Sequence, residues 1–277
     1  MVQQLFKNSQ GQLRNGWWIA LFFLLLAALL FPMILYAKET GQELTPWLQA
    51  IPVLLVSMLC QRLRKRPQAE LLGACNRGWL LQLLQGMLLG TGLMLLPALL
   101  LWAGGVVTWQ LGEFSGAALL AALILFIGVA VTEELTFRGF MFQRLIDGVG
   151  IAPAQLLMAA YFVLTHVSAL KQGEQWNYLA TVNIFVASLM FGLAFIRTQS
   201  LAMPIGLHLM ANFTQGSVLG FGVSGSEQSG WLIPTLQPTA PSWLTGGSFG
   251  LEASVPGLLT LLLLTLVLWR WQGSVRR

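Results

Sequence analysis

Charged side chains are scarce in this chain of 277 residues, of which 9% are charged and 56% are hydrophobic. A soluble domain carries about 25% charged residues, so the composition argues against a soluble globular protein. Several apolar runs reach the roughly 20 residues that a helix needs to cross a bilayer. We therefore predict an all-α fold, a polytopic membrane helical bundle that forms one domain over residues 1–277 without a separate soluble module.

Cysteine is almost absent, since only Cys60 and Cys75 occur, both near a basic stretch that we assign to the cytoplasm. Two thiols do not form a disulfide framework, so we interpret both as reduced thiols without a functional role. The net charge of +5 does not indicate a nucleic-acid partner, because the basic residues stand at the ends of apolar runs. That distribution is the positive-inside pattern of a protein that spans the lipid bilayer.

Eight apolar segments are predicted to cross the membrane. The first is longer than the apolar region of a signal peptide, and no small-residue cleavage site follows it. The third contains GMLLG (Gly86–Gly90), which has the small-xxx-small spacing of a helix-packing face. The predicted segments cover about 16–36, 45–60, 79–103, 115–145, 154–168, 177–196, 201–221 and 255–271.

The basic residues favour one orientation of these segments. With the N-terminus in the cytoplasm, twelve lysines and arginines fall on the inner side and only Lys38 and Lys171 fall on the outer side. We therefore predict a multi-pass protein of the cell's inner (cytoplasmic) membrane with both termini in the cytoplasm. The longest loop, from about Gly222 to Ser254, then lies outside and carries Glu252.

Three charged residues stand inside an apolar segment: Glu133, Glu134 and Arg138. If one helix continues to Arg144, Glu133 lies about 16 Å from the cytoplasmic surface, at 1.5 Å per residue. Charges at such a depth are costly and are functional candidates. Glu134 and Arg138 are four residues apart and can form an ion pair. Glu133 projects about 100° away from them, which leaves it free for a second task.

Histidine is rare as well, and both histidines lie in apolar segments. His166 follows Phe162 by four residues, and His208 precedes Asn212 by four, so each pair shares a helix face. Counted from the predicted helix ends, His166, His208 and Asn212 lie about 20, 10 and 16 Å from the inner surface. We interpret these residues and Glu133 as one site in the cytoplasmic half of the membrane.

This set of side chains suits hydrolysis of an amide by an activated water molecule. Glu133 can take a proton from water that His166 holds, while His208 and Asn212 donate hydrogen bonds to the developing oxyanion. The competing interpretation is a zinc site in which His166, His208 and Glu133 are the ligands. There is no HExxH motif, but the sequence alone leaves the metal alternative open.

The chain contains three motifs in a fixed order. Residues Glu133 to Arg138 read EExxxR, Phe162 to His166 read FxxxH, and His208 to Asn212 read HxxxN. In this order, on three predicted transmembrane helices, the motifs resemble the signature of the CPBP intramembrane proteases, which include CAAX proteases and bacteriocin-processing (Abi-like) proteins. The motif-bearing core would then cover about 115–221.

The resemblance implies an endopeptidase whose site opens toward the cytoplasm and whose substrate is a peptide or a membrane protein. It implies that Glu133 is the base, that His166 positions the water, and that His208 and Asn212 stabilise the oxyanion. Glu134, Arg138 and Phe162 take structural or orienting roles. We predict no cofactor, with zinc as the alternative. Some relatives act as membrane scaffolds or immunity proteins, and a transporter is disfavoured because the buried charges cluster in the second half of the chain.

Overall fold

The computed structural model describes residues 5–172 and 175–273. Both chain ends, whose cytoplasmic location the sequence predicts, lie outside the described residues. The helices are α1 Asn15–Thr40, α2 Pro46–Leu63, α3 Ala69–Leu72, α4 Arg77–Ala103, α5 Gly116–Arg138, α6 Phe140–Val149, α7 Ile151–Thr165, α8 Val167–Leu170, α9 Tyr178–Thr198, α10 Ala202–Phe213, α11 Ser242–Thr245 and α12 Val255–Arg270. The strands are β1 Val107–Leu111, β2 Lys171–Gln172, β3 Gln175–Trp176 and β4 Leu232–Leu236.

The predicted helical membrane bundle is confirmed, but not all eight predicted crossings have full length. Within the described residues, five helical segments are long and apolar enough to cross a membrane: Asn15–Thr40, Pro46–Leu63, Ala69–Ala103, Gly116–Val149 and Tyr178–Thr198. The segments predicted at 154–168 and 255–271 appear as the shorter apolar helices α7 and α12. The segment predicted at 201–221 becomes the 12-residue α10, followed by one π-helical turn over Thr214–Val218.

The predicted continuous segment at 115–145 is wrong in one respect, because the helix ends at Arg138. At Gly139 the backbone leaves the helical region, with ψ at −131°. A Cβ atom on Gly139 would lie 2.2 Å from the carbonyl oxygen of Leu135, so only glycine fits. The chain restarts as α6, and the depth of 16 Å that we counted for Glu133 along one helix no longer applies.

The GMLLG packing face is confirmed. A Cβ atom on Gly86 would lie 2.2 Å from the carbonyl oxygen of Met203, and one on Gly90 would lie 2.1 Å from that of Leu207. Gly206 of α10 faces the backbone of α4 in the same way. Because three glycines remove the side chains between them, the backbones of α4 and α10 approach closely. This contact fixes α10, which carries two of the predicted site residues.

The long loop after α10 folds back onto the helix ends. Its strand β4 pairs antiparallel with β1, with Val107 opposite Leu236. Trp109 of β1 donates from Nε1 to the carbonyl oxygen of Leu219 at 3.0 Å, and its ring meets the edge of Phe221. The loop is therefore a folded cover over this end of the bundle.

Candidate active site

A cavity of about 290 Å³ lies between the helices and the folded loop. Its walls come from α4, α5, α7, α9, α10, α12 and the loop between α10 and α12. The cavity brings together the residues of all three sequence motifs, which come from three different helices or helix ends. The motif residues that line it are Glu133, Phe162, His166, His208 and Asn212.

The arginine of the first motif lies behind the cavity in a closed network. Arg138 is 1% exposed, and its Nη1 lies 3.2 Å from Oε1 of Glu134, which is fully buried. The other terminal nitrogen donates to the carbonyl oxygen of Ser188 at 3.1 Å and to its hydroxyl at 2.9 Å. The guanidinium also lies over the rings of Phe162 and Phe191, each at 5.0 Å. The ion pair expected from the i,i+4 spacing is thus present.

His208 connects this network to the cavity. Its Nδ1 lies 2.8 Å from Oε1 of Glu134, so that one carboxylate oxygen contacts both Arg138 and His208. The imidazole stacks on Phe191 with ring centroids 5.0 Å apart. Its Nε2 lies 3.9 Å from Oε2 of Glu133, too far for a hydrogen bond. Sequence spacing did not indicate the contact between Glu134 and His208, which joins residues 74 positions apart.

Glu133 and Glu134 are neighbours in sequence but have different surroundings. The side chain of Glu133 is 27% exposed and lines the cavity, whereas that of Glu134 is fully buried. This agrees with the expectation that only Glu133 is free of the arginine.

His166 stands at the C-terminal end of α7, because the helix predicted at 154–168 stops at Thr165. Its Nδ1 lies 2.8 Å from the carbonyl oxygen of Phe162, and the two rings are in contact at 4.6 Å. A carbonyl oxygen only accepts hydrogen bonds, so the proton belongs on Nδ1. In the neutral ring, Nε2 is then an acceptor, which is the property needed to hold a water molecule.

Five polar residues of the cavity were not expected from the sequence: Asn183, Ser224, Ser226, Gln228 and Glu252. Asn183 of α9 is 2% exposed, and its Nδ2 donates to the carbonyl oxygen of Leu179 at 3.0 Å. Its Oδ1 has no hydrogen-bond partner among the described residues. An asparagine in an apolar helix was a usable signal, because a polar side chain at that place needs a partner.

Glu252 was assigned to the outer loop without a role at the site, and the structure places it at the cavity. It follows the 3₁₀ turn Gly247–Phe249 in a second short turn, Leu251–Ala253, and lines the cavity. The backbone N–H and the hydroxyl of Ser224 both donate to Oε1 of Glu252. Burial raises the pKa of Glu252, while the N–H of Ser224 and the nearby histidines act in the opposite direction.

The zinc alternative would use His166, His208 and Glu133 as ligands. In the described part of the chain, no group of three His, Cys, Asp or Glu residues could hold a metal ion. The Nδ1 atoms of His166 and His208 contact Phe162 and Glu134, which leaves Nε2 of each ring as the nitrogen available to a ligand. We derive no step through a metal, and independence from metals stays a prediction.

The cavity lies toward one end of the bundle. Its walls include residues of the folded loop, such as Ser224 and Glu252, and Gly257 near the start of α12. The arginines near the opposite ends of the same helices, Arg197 of α9 and Arg270 of α12, are the ones that predict the cytoplasmic side.

Comparison with known families gives one match. Residues 115–214 match the family described as "Type II CAAX prenyl endopeptidase Rce1-like". The matched segment contains all three motifs, so the resemblance to CAAX-type proteases is confirmed. No curated protein and no solved structure matches the chain. The family indicates a peptidase, and the apolar helices indicate a membrane protein.

Proposed function

We propose, with the match of residues 115–214 to the Rce1-like endopeptidases as the premise, that this protein is an intramembrane endopeptidase of the glutamic type. It hydrolyses a peptide bond with a water molecule that Glu133 and His166 activate. The observation that carries the proposal is the gathering of Glu133, His166, His208 and Asn212 around one cavity.

The first step is the activation of water. Glu133 offers a carboxylate to the cavity, and neutral His166 offers the unprotonated Nε2 as an acceptor. Water between them donates one hydrogen bond to each group and directs its oxygen toward the carbonyl carbon of the substrate. As the C–O bond forms, the proton moves to Glu133. General-base catalysis of this kind contributes about 10²–10⁴-fold.

The second step is stabilisation of the oxyanion, and it requires a hydrogen on Nε2 of His208. Two arrangements of the contact with Glu134 supply it. In one, His208 is an imidazolium that pairs with the Glu134 carboxylate. In the other, a protonated Glu134 donates to Nδ1 of a neutral ring. Asn212 supplies the second donor from its amide, and removing one such donor costs about 10²–10³-fold in rate.

The third step breaks the C–N bond. The tetrahedral intermediate collapses, and Glu133 returns its proton to the leaving nitrogen. The immediate products are a carboxylic acid and an amine, which exchange a proton and leave as a carboxylate and an ammonium, and Glu133 is again a carboxylate. No covalent intermediate forms between enzyme and substrate, because water is the nucleophile. The Glu, His and Asn side chains serve only as base, as holder of the water and as hydrogen-bond donors to the oxyanion.

The side from which substrate enters is a separate question. The resemblance predicts a cytoplasmic opening, and the arginines predict cytoplasmic termini. Under that orientation the loop that contributes Ser224 and Glu252 to the cavity belongs to the outer side. A cytoplasmic opening therefore requires the substrate to pass between helices from the arginine-bearing end, and we keep it as the proposal to be tested.

Cysteine labelling tests both the orientation and the entry side. Cys75 is exposed next to the basic stretch, whereas Cys60 is buried, so Cys75 is a natural reporter. With cytoplasmic termini, a membrane-impermeant maleimide labels Cys75 only in inside-out vesicles. It labels a cysteine at position 226, introduced by Ser226→Cys together with Cys75→Ser, only in intact cells. Protection of position 226 by a membrane-impermeant peptide added outside intact cells would place substrate entry at the loop side and contradict the cytoplasmic opening.

The function itself is tested by cleavage of a broad peptide library, which includes prenylated peptides, by purified protein in detergent. Wild type and Glu133→Gln are compared, each with and without a chelator. We expect cleavage by the wild type alone, unchanged by the chelator. Loss of activity on chelation would indicate a metalloprotease, and wild-type activity in Glu133→Gln would refute Glu133 as the base. A wild type that cleaves no peptide in the library counts against the peptidase.

A further inference from the structure

One part of the cavity wall has no role in the proposed reaction. It is formed by Asn183 of α9 and Glu252 of the folded loop, and both line the same cavity as Glu133. We call these two residues the acceptor pair, because each carries a side-chain oxygen that can accept hydrogen bonds.

Asn183 has an incomplete set of hydrogen bonds. Its Nδ2 donates to the carbonyl oxygen of Leu179, which fixes the orientation of the amide and identifies the unpaired atom as Oδ1. A buried acceptor without a partner costs about 1–3 kcal/mol, and such groups are rare in folded proteins. Since Asn183 is 2% exposed and lines the cavity, a donor on a bound ligand can complete its hydrogen bonds.

Glu252 is held in place by its own loop. Ser224 donates twice to Oε1, and the backbone N–H of Glu252 donates to Oε1 of Gln215 at 3.2 Å. The amide of Gln215 in turn donates to the carbonyl oxygen of Gly222 at 2.6 Å. The contacts to the carboxylate therefore use one oxygen, and the anchored side chain presents a carboxyl group to the cavity.

The charge of the cavity determines the kind of ligand that fits. Among the described residues that line it there is no lysine or arginine, while there are two carboxyl groups, those of Glu133 and Glu252. A ligand carboxylate, such as the C-terminus of a peptide, would meet these groups without a permanent cation to balance it. A ligand ammonium or guanidinium carries several N–H donors and no acceptor, which complements an anionic wall of acceptors.

We propose that Asn183 and Glu252 form a subsite for a cationic group of the substrate, the side chain of a lysine or arginine near the scissile bond. The inference rests on the proposed function and specifies its substrate class. Asn183 accepts one hydrogen bond from the cation, and Glu252 supplies the opposite charge. The enzyme then prefers an internal cationic residue over a free C-terminal carboxylate.

The test measures binding separately from cleavage. Purified Glu133→Gln protein in a nonionic detergent is titrated with three fluorescent decapeptide mixtures that differ only in a central lysine, norleucine or glutamate. We expect the lysine mixture to bind about tenfold more tightly than the norleucine mixture, as for hydrogen bonds to a charged group. The glutamate mixture binds more weakly than both.

Two further substitutions, each made separately in the Glu133→Gln protein, show whether the acceptor pair causes this preference. When Glu252→Gln or Asn183→Leu is combined with Glu133→Gln, the preference for the lysine mixture should disappear, while binding of the norleucine mixture stays unchanged. Glu227→Gln, an exposed carboxyl in the same loop, is the matched control and should keep the preference. Size-exclusion profiles identify a variant that fails to fold, and the other variant then decides.

The outcomes separate the subsite from the protease. Equal binding of the lysine and norleucine mixtures, binding of none of the three, or a preference that survives both substitutions would overturn the subsite. Wild-type cleavage without a preference for lysine would overturn the subsite and leave the protease. Selective binding of lysine by a protein that cleaves nothing would support the subsite and refute the protease.

Discussion

The cavity has two walls that are built in different ways. Behind the helix wall, Glu134 contacts Arg138 of its own helix and His208 of α10, and all three are at least nine-tenths buried. On the loop wall, Glu252 is held by Ser224, which belongs to an irregular segment. Packed helices hold reacting groups in fixed positions, whereas loops on a rigid scaffold vary more easily and often determine binding. We therefore assign chemistry to the helix wall, and substrate choice to the loop wall together with Asn183 of α9.

The sharpest test of the helix wall compares its two adjacent glutamates. Glu133→Gln should lower kcat/KM by about 10³-fold, because it removes the base without changing the shape of the cavity. The melting temperature should stay close to that of the wild type, since the side chain is partly exposed and makes no hydrogen bond to other described residues. Cleavage assays and thermal unfolding in the same detergent measure both quantities.

The control for this test is Glu134→Gln. It should lower the melting temperature, because the buried Arg138 loses its counter-ion, and it should lower activity by disturbing His208. If Glu134→Gln abolished cleavage at an unchanged melting temperature while Glu133→Gln remained active, the assignment of the two carboxylates would be reversed.

The buried ion pair should contribute strongly to stability. Arg138→Met keeps most of the side-chain volume but leaves the Glu134 carboxylate buried without its arginine, which costs about 3–5 kcal/mol. The matched control is Arg66→Met, which removes an exposed i,i+4 pair with Glu70 at 3.9 Å. That pair contributes about 0–1 kcal/mol. Equal shifts of the melting temperature for both variants would show that the helix wall does not depend on the pair.

The next largest effect on stability should come from substitutions that disturb the close packing of α4 against α10. Gly90→Ala forces a methyl group against the backbone of Leu207 and should destabilise the protein by about 1–3 kcal/mol. It should also reduce activity, because α10 carries His208. Gly92→Ala lies on the same helix with no atom within 4 Å of the added methyl, and alanine favours the helix. A loss of stability in Gly92→Ala equal to that in Gly90→Ala would contradict the packing argument.

Features that depend on spacing within one helix could be predicted from the sequence. The pair of Glu134 with Arg138 follows from i,i+4 geometry, and the face of Gly86 and Gly90 follows from the same rule. The motif residues were expected at similar depths, and they line a common cavity. The apolar runs predicted a helical bundle, because a backbone in lipid must satisfy its hydrogen bonds internally.

Features that depend on contacts between distant segments were not accessible in this way. The contact of Glu134 with His208 requires knowledge of how α5 packs on α10. The end of α5 at Gly139 depends on the close approach of Gly139 to the carbonyl oxygen of Leu135. The apolar residues that surround Gly139 in the sequence do not indicate this contact. Glu252 stands in a segment without helical periodicity, and only the folded loop brings it to the cavity. The segment predicted at 201–221 was too long, since α10 has 12 residues. Those predicted at 154–168 and 255–271 match the short helices α7 and α12, of 15 and 16 residues. A helix packed among others need not span the bilayer by itself.

The smallest expected effect is a dependence on pH that belongs to the loop wall. Burial raises the pKa of Glu252, so its carboxyl group loses its negative charge as the pH falls through that raised value. The preference for lysine over norleucine should therefore be full at higher pH and fall toward equality in acid. His166 and His208 also face the cavity, and their protonation repels lysine as well. The contribution of Glu252 is measured by comparing two variants, Glu133→Gln alone and Glu133→Gln combined with Glu252→Gln. Both lack the carboxyl group of Glu133, so the difference between their pH profiles reports Glu252. Coincident profiles would mean that the charge of the loop wall does not select the substrate.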